Sequence, residues 1–273
     1  MKLVYDNPDN LQKTKAPVVE DQNRKAIVVS TPNDNTLRES LTVSVSSNSK
    51  FTTVPLGRSG QKFIIADLDS NLFDKLKQDV QEAFEIKIKH NSRLVGHIKE
   101  EYAISPCIEF KNYIMEMLIE FTGDHTIDSD ICDFSQTWVN FQKKAEFNPA
   151  HVHQSMYSYV VWINLPFKIE DEYALFPDVN EPATSNFIFI YHDPDSPTLK
   201  LHNIEADKRY EGKIILFPST MMHSVYPFYT SDEYRISLAG NVDILPGRKM
   251  PDEVKKYFDE SQYPMLSVNL NNQ

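Results

Sequence analysis

The rhythm of hydrophobic and polar positions divides the chain into a helical first part and a β-rich second part. From Asn71 to Lys89, Phe73, Leu76, Val80 and Phe84 recur at three- and four-residue steps, which predicts an amphipathic helix. Ser70 stands where the N-cap of that helix would fall, just after a strand-like run, Lys62-Phe63-Ile64-Ile65-Ala66. A second helix is expected over 106–121. Ser105-Pro106 offers a cap and a first-turn proline, Phe110, Ile114, Met117, Leu118 and Phe121 share one stripe, and Gly123 marks the stop.

Beyond residue 134 the period shortens. Segments rich in β-branched and aromatic residues follow one another between Pro, Asn and Asp: Thr137–Phe141, Tyr157–Leu165, Asn186–Tyr191, Thr198–Ile204, Lys213–Phe217, His223–Phe228 and Tyr234–Val242. Such a density of strands predicts a sandwich, jelly roll or small barrel. Residues 1–60 read as a polar lead-in with edge strands at Ala26–Val29 and Leu41–Val45, and Pro251 to Asp259 as a short closing helix in the tail 251–273. Between them, 61–250 forms one α+β, mainly β domain.

Composition narrows the function classes. With 28 basic against 39 acidic residues, a formal net of −11, the chain lacks the basic surface that nonspecific nucleic-acid binding requires. Seven glycines form no phosphate-cradling cluster, which removes the Walker and dinucleotide-binding classes. The longest apolar run, Tyr159 to Leu165, is too short to cross a bilayer, and Met1 to Asn10 has no secretory pattern. Cys107, expected in a helix, and Cys132, expected in a loop, cannot build a disulfide framework and have no activating histidine beside them. The expectation is a cytoplasmic, reduced, soluble protein.

Three of the eight histidines carry chemical interest. His151 and His153 precede the Tyr157–Leu165 strand, and residues i and i+2 of an extended segment face one way. His223 follows the Lys213–Phe217 strand and a turn. Two histidines two apart plus one from a distant strand can make a facial metal site, although His-X-His taken alone is more often a pair of loop residues. Trp138, Asn140 and Gln142 alternate on one strand and could face the interior, as could Tyr157, Tyr159 and Val161; core packing is their first assignment. His97, His125, His192 and His202 have no spaced partners.

The block Leu216-Phe217-Pro218-Ser219, then His223-Ser224-Val225-Tyr226-Pro227, then Arg235-Ile236-Ser237 makes a pattern with the His-X-His element. Together they resemble the 2-oxoglutarate- and Fe(II)-dependent oxygenases, in particular a bacterial and phage group of them. Leu94 to Tyr102 resembles that group's helical lead-in. The resemblance covers about residues 65 to 243 and implies a double-stranded β-helix, a jelly-roll or cupin-like barrel with the N-terminal helices on one face. It further implies Fe(II) on His151, His153 and His223, with Arg235 and Ser237 clamping the distal carboxylate of 2-oxoglutarate. The reaction class would be hydroxylation, in which 2-oxoglutarate and O2 are consumed and a C–H bond of a protein or small-molecule substrate is oxidised. A bidentate guanidinium suits a carboxylate, and it keeps its charge at working pH.

One position departs from the wider family. A carboxylate normally follows the first histidine by two residues, and His153 stands there instead. Glu146, in a neighbouring loop, is a candidate to supply the anion. Two other readings stay open: a barrel retained as a binding or phage structural module, and a cupin-like three-histidine dioxygenase that uses no 2-oxoglutarate. Substrate and oligomeric state, including a homo-oligomer, are left open by the sequence.

Overall fold

The computed structural model describes residues 50–245, save Asp130, all within one compact unit. The edge strands expected at 26–29 and 41–45 and the helix at 251–259 lie outside the described residues. In chain order the elements are β1 (Thr52–Pro55), β2 (Lys62–Asp67), α1 (Ser70–Ile86), β3 (Glu101–Ala103), α2 (Ile108–Thr122), β4 (Cys132–Gln142) and β5 (Asn148–His151). Then come β6 (Tyr157–Asn164), α3 (Ile169–Ala174), β7 (Phe187–His192), β8 (Leu199–Ile204), β9 (Lys213–Pro218), β10 (Met222–Val225) and β11 (Arg235–Ile244).

All pairings between these strands are antiparallel. Seven strands form a larger sheet in the order β1-β2-β9-β6-β11-β4-β3, and four form a smaller one in the order β5-β10-β7-β8. Alternation along the strands feeds two cores. On one face of the larger sheet, Val139, Phe141, Tyr159, Val161 and Leu238 pack with Leu76 and Val80 of α1 and Ile114 and Met117 of α2. On the other face Phe63, Trp162, Ile215 and Phe217 meet Phe187, Phe189 and Ile204 of the smaller sheet. Each such fully buried side chain contributes roughly 1.5–3 kcal/mol, so a Phe189→Ala cavity between the sheets would be among the costlier single changes, at about 3–5 kcal/mol.

The helix boundaries differ slightly from the sequence reading. Asp69, not Ser70, caps α1, its carboxylate accepting from the Leu72 N–H at 2.9 Å. An ionised acceptor at Asp69 takes the orphan amide, and Ser70 becomes the first helical residue. The second helix begins at Ile108, two residues past Pro106, because the Cys107 N–H donates to Asp79 of α1 at 3.3 Å. Cys107 is therefore the cap residue, and Cys132 opens β4 with its side chain in the core; neither lies where the sequence suggested. Gly123 does end α2, in the left-handed region at φ 73°.

The Leu94–Tyr102 segment holds no helix. It runs from a short 3-10 turn at Asn91–Arg93 into β3, whose Glu101 and Ala103 lie opposite Asn140 and Trp138 of β4. Gly96, at φ 148°, permits a close approach there: a Cβ would fall 1.9 Å from Asn148 Oδ1, while the His97 N–H donates to the Phe147 carbonyl at 2.9 Å. No helix among the described residues is long and apolar enough to cross a membrane.

Candidate metal centre and cosubstrate pocket

Strand pairing brings the histidines together. In the β5–β10 ladder His223 lies directly opposite His151, and their ring centroids are 4.3 Å apart. His153 lies two residues past His151, its N–H donating to the Ser219 carbonyl at 2.9 Å. Its ring is 5.0 Å from His151 and 5.2 Å from His223. One ligand nitrogen from each ring lies within 4.8 Å of the other two, so the three converge as a group that could hold a metal ion.

The rings are also oriented. His151 Nδ1 sits 2.7 Å from the Pro149 carbonyl and His223 Nδ1 sits 3.0 Å from the Met221 carbonyl. A carbonyl only accepts, so each Nδ1 carries the proton and each Nε2 keeps a free lone pair. Burial lowers the pKa of all three from the ordinary 6.5, that of His153 to about 4 and that of His223 well below it. For His153 and His223 the neighbouring imidazoles add to the effect of burial. The group therefore stays neutral near pH 7, the form in which imidazole binds metals. Phe187 stacks on His223 at 5.4 Å and walls it from the core side.

Glu146 does not join the three. It is held in a tight turn where Oε2 accepts the Lys143 N–H at 2.9 Å, and it is absent from the convergent group. The donor set is thus three neutral nitrogens without an anion, which suits iron(II), cobalt(II) or zinc(II).

Arg235 opens β11 and is only 3% exposed. Its Nη1 donates to the carbonyls of Ser185 (2.8 Å) and Tyr226 (3.4 Å), and no carboxylate pairs with it among the described residues. Burial pushes its pKa down to about 10, partly offset by Glu172, so the guanidinium remains charged at neutral pH. Nε and Nη2 have no protein acceptor among the described residues. Ser185 holds its carbonyl towards Arg235 from the left-handed region, at φ 63°. Ser237 lies on the same face of β11, its hydroxyl accepting from Asn140 Nδ2 at 3.1 Å.

The three histidines, Arg235 and Ser237 border one cavity of about 40 Å³ between the sheets. Trp138, Asn140 and Gln142 line it, as their alternation suggested, and Tyr159 both borders it and packs in the helix-side core, whereas Val161 packs against the helices with Tyr157 at the edge of that core. That volume holds a few waters, not a five-carbon diacid, so 2-oxoglutarate fits chemically but needs lining side chains to move aside.

Sequence reasoning missed three residues that matter here. Glu172 of α3 is fully buried, Glu101 of β3 is 3% exposed, and His90 stacks on Trp138 with centroids 5.6 Å apart. No sequence signal separates such acids from solvated ones, since their burial comes from partners distant in the chain.

Residues 136–241 match the family described as "Putative 2OG-Fe(II) oxygenase". The matched stretch runs from within β4 to within β11 and contains His151, His153, His223, Arg235 and Ser237. The resemblance to the 2OG-Fe(II) oxygenases is thereby shown for this segment. Similar solved structures include a prolyl-4-hydroxylase from Pseudomonas putida, 14% identical, covering 68% of this chain and 94% of its own, with a TM-score of 0.49. An oxidoreductase of the 2OG-Fe(II) oxygenase family from Burkholderia pseudomallei is 11% identical, over 71% of this chain and 84% of that one, with a TM-score of 0.40. The non-heme alpha ketoglutarate dependent epimerase SnoN from nogalamycin biosynthesis is 11% identical, over 69% and 77%, with a TM-score of 0.42. Among curated proteins none matches this chain.

Proposed function

We propose that the protein is an Fe(II)- and 2-oxoglutarate-dependent oxygenase, a hydroxylase built on a double-stranded β-helix spanning residues 61–250. The observation that carries this reading is the shared cavity: three neutral imidazoles, two of them oriented by backbone carbonyls, and a buried guanidinium without a carboxylate partner border the same space. The Nε2 atoms of His151 and His223 and a ring nitrogen of His153 hold the metal. Arg235 receives the distal carboxylate of 2-oxoglutarate, and that carboxylate would pair directly with a buried charge that only the non-contacting Glu172 offsets. Ser237, fixed by Asn140, offers its hydroxyl hydrogen to the same carboxylate. Iron(II) with 2-oxoglutarate and O2 supplies the oxidising chemistry, and succinate is the by-product.

The protein's part is placement and exclusion. Phe187, Phe217 and Trp162 keep the inner side of the pocket dry, which strengthens the Arg235–carboxylate attraction. Absence of a carboxylate from the histidine group favours a second reading, a cupin-like dioxygenase that uses no 2-oxoglutarate. That reading leaves the unpaired Arg235 without a purpose.

Succinate release separates the two. Iron-loaded protein given 2-oxoglutarate and O2 should form succinate slowly even without substrate, and Arg235→Ala and His223→Ala should each stop it. Iron binding without any succinate would transfer the assignment to the cupin-like reading.

A further inference from the structure

A larger cavity of about 360 Å³ also borders His151 and His153, and Arg235 is not among its lining residues. This is ample for a side chain or a small molecule. Its walls include Leu94, Val95, Val152 and Trp138, and Glu101 and Asn148 bring acceptors to it.

Glu101 is the unusual element. Its Oε2 accepts from Asn91 Nδ2 at 2.8 Å, but Oε1 is buried with no hydrogen-bond partner. Asn148 Oδ1 is likewise buried and unpartnered. Two orphan acceptors on one cavity wall are costly once Glu101 is ionised, above its raised pKa of about 7, unless a donor arrives from outside the chain. The nearby cations do not supply it. Lys89 donates to the Lys99 carbonyl at 3.1 Å and lies over the Tyr102 ring, and Arg93 is exposed at the rim without an ion pair to Glu101.

We infer that this cavity is the substrate pocket of the proposed oxygenase and takes a cationic, donor-rich group, an amine or guanidinium, with Glu101 as its counter-ion and Asn148 as a second acceptor. The inference rests on the function proposed above for the word substrate; the cation site itself rests on Glu101. The negative net charge of the chain favours a cation over an anion here. A basic side chain reaching in by this route meets the histidine group with its carbon stem, the part that such an enzyme would oxidise.

The test is calorimetric titration of the zinc-loaded full chain with n-butylguanidine, n-butylamine, n-butanol and butyrate, and with the peptide Gly-Arg-Gly as a second source of guanidinium. The expected result is saturable binding of the cations, with butanol and butyrate at least about tenfold weaker. Glu101→Gln keeps the acceptor for Asn91 and should weaken the cations about tenfold or more while the cobalt(II) spectrum of the histidine group persists. Val95→Trp, placed at the exposed rim, should block binding without touching Glu101. Tighter binding of the peptide than of butylguanidine assigns the site to a protein substrate, and the reverse to a small molecule. Equal affinity for butylguanidine and butanol, or unchanged affinity in Glu101→Gln, would overturn the inference. Loss of cobalt(II) binding in the wild type would instead strike the oxygenase reading and leave the cation result to stand or fall alone.

Discussion

Glu172→Ala removes an anion that ties together the segments around Arg235. Its carboxylate accepts from the Tyr229 N–H at 3.0 Å, the Thr230 N–H at 2.7 Å, the Thr230 hydroxyl at 2.6 Å and the Thr184 hydroxyl at 3.0 Å. After truncation the Thr184 hydroxyl still reaches the Pro227 carbonyl at 2.9 Å, and Thr230 can turn to water. The loss therefore rests on two backbone N–H groups deprived of a charged acceptor, each worth about 1.5 kcal/mol, or about 3 kcal/mol together. Thr184 and Tyr229 flank the Ser185 and Tyr226 carbonyls that hold Arg235, so the guanidinium loses both its fixed acceptors' support and its nearest counter-charge. Urea denaturation of wild type, Glu172→Ala and Glu172→Gln, read by two probes to check two-state behaviour, measures the effect. The alanine variant should lose about 3 kcal/mol and the glutamine variant roughly half of that. A loss below about 1 kcal/mol for alanine would refute the reasoning, since the backbone donors would then be shown to find equal partners in water.

Arg235→Lys should weaken 2-oxoglutarate binding by at least about tenfold and Arg235→Ala by about a hundredfold, measured by calorimetry on zinc-loaded protein, because a point charge replaces a planar fork and then nothing does. Burial raises the Glu101 carboxyl from 4.5 to about 7, so the folded state holds a proton that the unfolded chain releases earlier. Stability from this group is full below pH 4.5, falls as pH rises through that window and stays low above about 7; thermal melts across it should show the fall, and Glu101→Gln should flatten it. The lowered histidine pKa values predict that cobalt(II) affinity barely changes between pH 6.5 and 8. Three ordinary imidazoles of pKa 6.5 would each be half protonated at the lower pH, an affinity loss of about eightfold that spectroscopic titration would reveal.

The parts legible in the sequence are those whose local pattern and tertiary role agree. The seven β-rich segments all contain strands because their alternation faces two real cores, and His151 met His223 across the β5–β10 ladder, which is irregular just past His223, with His153 joining from two residues beyond the end of β5. The short edge strands were not legible. β5 contains Pro149, which a strand tolerates only at an edge or a bulge, and β3 has three residues; both exist because a neighbour's ladder recruits them. The acids were least legible. Glu172 follows Glu170 and Asp171 in a first turn that reads as solvated, yet donors from residues 184, 229 and 230 bury it. Glu101 was similarly hidden, inside a segment whose resemblance pointed to helix, while β4 in fact draws it into a strand facing the cavity.

The central claim is that the histidines and Arg235 form one site for a metal and a 2-oxo diacid. Adding iron(II) and 2-oxoglutarate to the full chain without oxygen tests it most directly. A visible charge-transfer band of a chelated 2-oxo acid should appear in the wild type, vanish in His223→Ala, and require far more 2-oxoglutarate in Arg235→Ala. A wild type that binds iron(II) tightly yet shows no band at saturating 2-oxoglutarate would contradict the account.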